Sequence, residues 1–542
     1  MQAQLERPHI LVSDPLGQAG LAVLEREAAV DVRPGLAADD LRRILPGYEA
    51  LIVRSETRVT ADLLAAGTAL RVVTRAGVGT DNIDVPAATE RGIVVLNTPG
   101  PNTIAAAEHT FGVLLALLRH IPRADASLRA GRWDRKSFVG HELYGKTLGI
   151  LGLGRIGREV AARALAFGMD VVAYDPYVPP AVAEALGATP LPLAEVLARA
   201  DVVTLHLPLQ VETRGLLGAR ELALMKPTAR LVNCARGGLV DEAALADALR
   251  EGRLAGAALD VYEHEPPTGS PLMGLDNVVV TPHLAASSVE AQHGVALVAA
   301  ETTLAALRGE LVPNAVNLPA VAPGELAALR PWLDLAGQLG RLIAGTLDGP
   351  PAALEIGFLG DFAAGDPKLI GAAALRGFLL PSIPEQVTLI NSRLLAERRG
   401  VAVSERFAAV PPEGASRVLE LRATACEGAN GDTHSHIADG ALDGQGHGRL
   451  VAVDGFAVTL DPCGRLLLIN HRDQPGMIGA VGTTLGRHGV NIAGMQVGRR
   501  QARGAAVMIV ILDDPLPRAA LEQIRAIPGL SHAHYVDLSE RQ

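Results

Sequence analysis

Three residues of this chain are of types that could together do redox chemistry on an alcohol: Arg236 in NCARGGLVDE, Glu265 in ALDVYEHEPP and His283 in VVTPHLAAS. Each follows a predicted strand. Carboxyl ends of parallel strands are where open α/β sheets bind ligands. Taken singly, each has an ordinary explanation: a surface ion pair for Arg236, a solvated loop charge for Glu265, a helix cap for His283. Together they supply what oxidation of a hydroxyl next to a carboxylate requires. A histidine takes the hydroxyl proton near neutral pH. A carboxylate beside it orients the ring and stabilises the imidazolium. A guanidinium grips a substrate carboxylate with paired N–H donors and polarises the carbonyl.

Such an oxidation needs a hydride acceptor. Residues 147–157, TLGILGLGRIG, read as a strand running into GxGxxG at Gly152, Gly154 and Gly157. The first glycine permits the tight turn, the second lets backbone approach a pyrophosphate, and the third lets helix and strand pack closely. Arg155 and Ile156 open the helix, whose free N–H groups and positive dipole end suit phosphate. GxGxxG alone is a weak signal among 58 glycines. Here a strand precedes it, a helix follows, and the next strand ends at Asp175, 18 positions past Gly157. An aspartate there accepts from a ribose 2′-hydroxyl and repels a 2′-phosphate, which favours NAD over NADP.

A second anion site is suggested nearer the N-terminus. Arg54-Ser55, Arg75-Ala-Gly77-Val78-Gly and Asn97-Thr-Pro-Gly-Pro-Asn102 are turns after predicted strands. Arg54, Arg75 and the backbone after Gly77 could hold a phosphorylated substrate. Arg132, Arg135 and Lys136 form another basic group around Trp133.

The elements that must position these groups alternate. Strands are predicted at 9–13, 50–54, 71–75, 93–96, 147–151, 170–174, 202–207, 230–234, 256–261 and 277–281, with helical patterns between most of them. Alternation implies parallel sheets covered on both faces, and ten strands suit two α/β units better than one. The long helical pattern at 287–308 implies a discontinuous first unit, with the site in the cleft between the two. Residues 311–325, LVPNAVNLPAVAPGE, read as a linker. A mixed α+β region follows, and its Gly-, His- and Asp-rich stretch 426–449 reads as a long loop. Residues 464–538 read strand, helix, strand, strand, helix, strand, which is the ferredoxin-like order. The expected division is 1–99 with 287–318, 100–286, 319–460 and 464–540.

Composition narrows the partners. At 542 residues several cores are required. A net charge of −10 and 3% aromatic content argue against a nucleic-acid partner. Three cysteines (Cys234, Cys426, Cys463) form no framework and no CxxC pair, which suits a cytoplasmic protein. No signal-peptide pattern is read at the N-terminus. The most apolar stretch, 104–118, is interrupted by Glu108 and His109 and reads as a buried helix rather than a membrane span. No metal site is expected. His434, His436 and His447 lack ligand-like spacing.

The runs LGLGRIGREVAARALAFGMDVVAYDPY, VVTLHLPL, LVNCARGGLVDEAAL, ALDVYEHEP and VVVTPHLAAS resemble the signatures of the D-2-hydroxyacid dehydrogenases over residues 8–315. The resemblance implies a substrate domain and a Rossmann-type NAD domain, with Arg236, Glu265 and His283 catalytic. It implies dinucleotide contacts from Arg155, Ile156, Asp175, Cys234, Ala235, Asp260 and Ala285. Ala285 departs from the glycine common there. The N-terminal turns resemble those of members acting on 3-phosphoglycerate, which implies substrate contacts from Arg54, Ser55, Gly77, Val78 and Asn102. Arg135 or Lys136 would reach a partner subunit's cleft.

Residues 467–476, LLINHRDQPG, and 489–493, GVNIA, resemble the ACT domain, a ferredoxin-like amino-acid sensor usually paired across a dimer. That implies an effector site at His471, Asp473 and Asn491, with serine as effector, and a homo-oligomer. The helix at 105–118 would suit a two-fold core interface. The region 320–456 resembles an intervening domain whose relatives bind an anion. Two other readings remain: a dehydrogenase acting on glyoxylate or 2-oxoglutarate, and a corepressor-like scaffold that binds NAD without turnover.

Overall fold

The computed structural model describes residues 7–319, 325–362, 366–409, 416–425 and 435–539 and contains four sheets. The first holds β1 (His9–Val12), β2 (Ala29–Val32), β3 (Ala50–Val53), β4 (Val72–Arg75) and β5 (Val94–Leu96). Its order is β2-β1-β3-β4-β5, all parallel. The central run ALIV of β3 is buried at every residue, as expected for a parallel strand covered on both faces. β2 was not expected. Its sequence, AVDV, is short and half exposed because it is an edge strand with one neighbour.

The second sheet holds β6 (Thr147–Leu151), β7 (Asp170–Tyr174), β8 (Ala188–Pro190), β9 (Val202–Leu205), β10 (Arg230–Asn233), β11 (Gly256–Leu259) and β12 (Val278–Val280). The order β12-β11-β10-β9-β6-β7-β8 is all parallel. Strand order reverses between β9 and β6, which creates the crevice where such sheets bind ligands. β8 also escaped the sequence reading. It is three residues long, ends in proline and lies at the edge, where a missing N–H does no harm.

The helix Thr103–Leu118 packs on this second sheet through Ala106, Ala107, Phe111, Leu114 and Leu118. Phe111 stacks on Phe167 at 5.2 Å. Most of the apolar face expected to mate with a second copy is therefore used inside the chain. The exposed apolar side chains nearby are Ile121, Leu128, Trp133, Val139 and Tyr144. No single helix among the described residues is long and apolar enough to cross a membrane.

The helix Val289–Leu307 returns the chain to the first sheet. Val295, Ala299, Ala300 and Leu304 share a core with Ile10, Val12 and Ile52, and Thr303 meets Thr74 at 2.6 Å. The expected linker does not begin at residue 311. Val316 donates to the Val95 carbonyl, and the Asn317 side chain accepts from Val95 N–H while donating to Ile93 and Thr89. These bonds hold the chain along β5, where unpaired edge groups needed partners.

The third sheet holds β13 (Pro351–Gly360), β14 (Ala402–Ala408), β15 (Arg417–Ala425), β16 (Ser435–Leu442), β17 (Gly448–Val453) and β18 (Phe456–Leu460), in the order β14-β13-β15-β16-β17-β18. Within the stretch expected to be a long loop, 426–449, most of the described residues are paired. Residues 435–442 form β16, antiparallel to β15 and β17, and only 443–447 turn. Residues 426–434, with Cys426 and His434, lie outside the described residues. The fourth sheet holds β19 (Arg465–Arg472), β20 (Ile492–Arg499), β21 (Ala505–Leu512) and β22 (Leu530–Asp537), in the order β20-β21-β19-β22. Its helices, Met477–Arg487 and Arg518–Arg525, cover one face. The other face joins the core of the third sheet through Leu466, Leu468, Val507, Ile509, Val536 and Leu538.

Candidate active site

The turn after β6 has the shape its glycines imply. Gly152 has φ +99°, and a Cβ there would lie 2.6 Å from the His206 carbonyl oxygen. A Cβ on Gly157 would collide with the Gly152 carbonyl, whereas nothing lies within 4 Å of one on Gly154. The turn is closed where it must pack and open where a pyrophosphate would approach. Helix Arg155–Ala166 starts immediately after it. Asp175 sits at the end of β7 and accepts from Leu153 N–H at 2.8 Å and Tyr177 N–H at 2.9 Å. These residues fit a dinucleotide.

The carboxyl ends of β10, β11 and β12 carry the other candidates. After β10, Asn233 fixes the turn by accepting from Ala235 N–H and donating to the Arg236 carbonyl. Burial pushes the neighbouring Cys234 thiol up to about 12, so it is neutral and no nucleophile. A Cβ on Gly237 would collide with the Tyr262 carbonyl, so this turn lies directly against the segment leading to Glu265. His283 Nδ1 and Glu265 Oε2 are 2.9 Å apart, and both side chains are partly open to solvent. Burial raises the Glu265 carboxyl, but the His283 ring and the Tyr262 N–H outweigh it and hold the group below its ordinary value. A carboxylate ionised at neutral pH thus orients an imidazole whose Nε2 is left for another partner.

His283 is held with φ +56°, a conformation that costs a non-glycine residue of order 1 kcal/mol or more. Asp260 compensates. It was expected to touch the dinucleotide, yet it is fully buried. Its carboxylate accepts from Thr281 Oγ1 at 2.6 Å, Leu284 N–H at 2.8 Å and Ala285 N–H at 2.8 Å. The structure gives Asp260 the task of pinning the turn that presents His283, and it commits the Ala285 N–H to the same bond. His109 stands behind, with Nε2 3.2 Å from both Asp260 and Thr281. Sequence reasoning did not assign His109 a role. The available signal was a polar pair, Glu108-His109, inside an otherwise apolar helix.

The first sheet faces this site with positive charge. Arg236 Nε lies 3.2 Å from Asp81, and its guanidinium sits where a Cβ on Gly79 would be. The Arg75 guanidinium likewise fills the space beside Gly77. Burial, with the Arg236 and Arg54 cations adding to it, pushes Arg75 down to about 10, so it remains a cation at neutral pH. Its Nε is buried without a hydrogen-bond partner. Asp14, also missed, shapes the Arg54 turn by accepting from Arg54 N–H, Thr57 N–H and Thr57 Oγ1. Ser55 is exposed, Val78 accepts from the Asn97 side chain, and Asn102 starts the helix Thr103–Leu118.

The expected effector residues are not together in one chain. His471 is buried near the end of β19, its Nε2 without a partner. Asp473 accepts from Arg503 N–H and the Arg499 guanidinium, which hold it below its ordinary value. Asn491 lies at the opposite end of the sheet, bonded to Asp513 and Asp514. His436 bonds Asp454 and His447 faces Asp443, so these two do not form one cluster.

Residues 111–285 match the model of the D-isomer specific 2-hydroxyacid dehydrogenase NAD-binding domain, 328–454 that of the D-3-phosphoglycerate dehydrogenase intervening domain, and 465–529 that of the ACT domain. Among solved structures, a Thermus thermophilus protein is 42% identical with TM-score 0.53, over 57% of this chain and 99% of its own. A glyoxylate reductase from Paecilomyes thermophila is 32% identical with TM-score 0.53, over 58% and 99%. Parallel sheets, nucleotide crevice and these matches define a D-2-hydroxyacid dehydrogenase with NAD as cofactor. The D-3-phosphoglycerate dehydrogenase of Methanocaldococcus jannaschii is 43% identical over 530 residues, 98% of this chain and 99% of that one. That of Synechocystis is 44% identical over 98% and 94%. The chain belongs to the D-3-phosphoglycerate dehydrogenase family.

Proposed function

We infer that the chain oxidises 3-phosphoglycerate at C2 to 3-phosphohydroxypyruvate with NAD, the first step of serine biosynthesis. The observation that carries this reading is the group of three arginines: Arg75 is depressed first by its burial and then by the Arg236 and Arg54 cations beside it. A phosphorylated hydroxy acid has an anion at each end, and such a wall suits it. In this reading the Arg236 guanidinium holds the C1 carboxylate, exchanging Asp81 for substrate. Arg54, Ser55, Gly77, Val78 and Asn102, with Arg75, hold the phosphate end. His283 Nε2 takes the C2 hydroxyl proton, and Glu265 stabilises the resulting imidazolium through Nδ1. When bound, NAD supplies the hydride acceptor. Gly152, Gly154, Arg155, Ile156, Gly157, Asp175, Cys234, Ala235 and Ala285 line its path, and Asp260 acts by positioning.

The same reading divides the chain into a substrate unit (1–99 and 287–318), a dinucleotide unit (100–286), an intervening unit (319–460) and a sensor (464–540). Serine is its effector. His471 and Asp473 at one end of the sensor sheet and Asn491 at the other make a complete site only when two copies pair in opposite directions. The exposed apolar set around Trp133 supplies a second contact, so the assembly is a homo-oligomer. The test is NADH formation from NAD and 3-phosphoglycerate, with removal of phosphohydroxypyruvate, with and without serine. Activity depressed by serine supports the whole reading. Activity untouched by serine removes the effector claim. Turnover of glyoxylate or 2-oxoglutarate with NADH, and none of phosphoglycerate, overturns the substrate.

A further inference from the structure

The junction between the third and fourth sheets contains titratable groups that the reaction does not use. Alternation along β22 places His532, His534, Val536 and Leu538 on one face. Val536 and Leu538 are buried in the core shared with the third sheet, so the two histidines face the same junction. Helix Leu326–Ala344 ends there, and a Cβ on its C-cap residue Gly345 would lie 2.7 Å from Val536. Three residues further on, Asp348 comes beside the histidines. Ligating atoms of Asp348, His532 and His534 all lie within 4.8 Å of one another.

We propose that Asp348, His532 and His534 form a divalent transition-metal site that clamps the C-terminal ferredoxin-like unit to the six-stranded unit. Two imidazoles and one carboxylate suit Zn²⁺, Co²⁺ or Ni²⁺ rather than Mg²⁺ or Ca²⁺. Tetrahedral bonds of about 2.0–2.2 Å require ligand atoms roughly 3.3 Å apart, a contraction that side-chain rotation of exposed Asp348 and His532 can supply. A second observation points to a ligand independently. His534 is 8% exposed, and its Nε2 is buried without a hydrogen-bond partner. Such an orphaned polar atom costs roughly 1–3 kcal/mol unless something satisfies it. His436 borders the site, its ring 5.8 Å from that of His534 and fixed by Asp454 through Nδ1. The fourth position falls to water, as in sites with three protein ligands.

The experiment is a Co²⁺ titration of the full chain after chelator treatment, read by visible d–d absorption. One equivalent per chain with a tetrahedral spectrum is expected. Asp348→Asn and His532→Ala should each weaken binding by roughly tenfold or more. Both side chains are exposed, so unchanged metal-free melting and unchanged turnover without effector would show that the variants fold. Absence of stoichiometric uptake overturns the proposal. So does equal uptake by both variants, which would assign the ion to the Asp443–His447 turn or to Cys463.

Discussion

The His283–Glu265 pair makes a prediction about turnover. Glu265 is held ionised below its ordinary pKa by the His283 ring and the Tyr262 N–H, so a full negative charge sits beside the ring when it takes the hydroxyl proton. Glu265→Gln removes that charge and should lower kcat by about 10- to 100-fold with the KM for NAD little changed, while His283→Asn should cost about 10²–10⁴. An unchanged kcat in Glu265→Gln would show that Glu265 does not assist the base. Asp439 makes the opposite kind of prediction, about stability. Burial and Glu420 push its carboxyl from 3.8 up to about 6. An acid raised in the folded state costs nothing below the unfolded pKa near 4. The cost grows between about pH 4 and 6 and is complete above 6. Asp439→Asn should thus stabilise the protein by about 1–2 kcal/mol at pH 7.5, after discounting for partial exposure, and by almost nothing at pH 4, as thermal unfolding at the two values would show.

At the scale of elements, the three glycines of the β6 turn should separate folding from binding. A Cβ on Gly154 meets nothing, whereas one on Gly157 collides with backbone. Gly154→Ala should leave the melting temperature within a degree or two and raise the KM for NAD. Gly157→Ala should lower stability by about 1–3 kcal/mol, as overpacking does. Equal melting of the two variants would mean that the turn tolerates crowding the geometry forbids. This turn was legible in the sequence because each glycine answers a local constraint. The same holds for β12 before His283, a continuous apolar run, VVV, and for β10 before Arg236, whose interior Leu231 and Val232 are apolar. β2 and β8 were illegible because edge strands need neither length nor apolar residues on both faces. Residues 435–442 read as loop because glycine, histidine and aspartate carry little strand propensity, and only pairing with β15 and β17 makes them a strand. The bonds Asp260 makes to Thr281, Leu284 and Ala285 were illegible for a related reason: sequence places a carboxylate at a strand end but does not say which neighbouring groups take its lone pairs. Asp14, Asp81 and His109 act across distances in sequence that no local motif encodes.

At the scale of the whole molecule, the catalytic and regulatory parts are joined unequally. The sensor sheet gives six apolar side chains to the core beneath it: Leu466, Leu468, Val507, Ile509, Val536 and Leu538, none more than 6% exposed. Full burial of such side chains is worth roughly 1.5–3 kcal/mol each. Between the first unit and the third-sheet unit the contacts are slighter: Leu311 and Leu318, both only partly buried, pack against the third-sheet core, Arg398 pairs with Glu90 at 2.9 Å, and Thr388 and Asn391 lie against Gly92. An exposed ion pair contributes about 0–1 kcal/mol, so this joint should give way more readily than the other. Ending the chain at two places tests the asymmetry. A chain ending at residue 460 strips the third-sheet core of its cover and should lose several kcal/mol of stability and aggregate. One ending at residue 319 removes both units together, so it bares the partly buried Leu311 and Leu318 but none of the six buried side chains of the shared core, and the segment along β5 keeps its hydrogen bonds to Ile93, Val95 and Thr89. That shorter chain should stay folded and keep its KM for NAD, and on the effector reading proposed above it should be insensitive to serine. If the chain ending at 460 were instead the more stable of the two, the shared core would not be the joint that the structure describes, and the sensor would have to act on the dehydrogenase by another route.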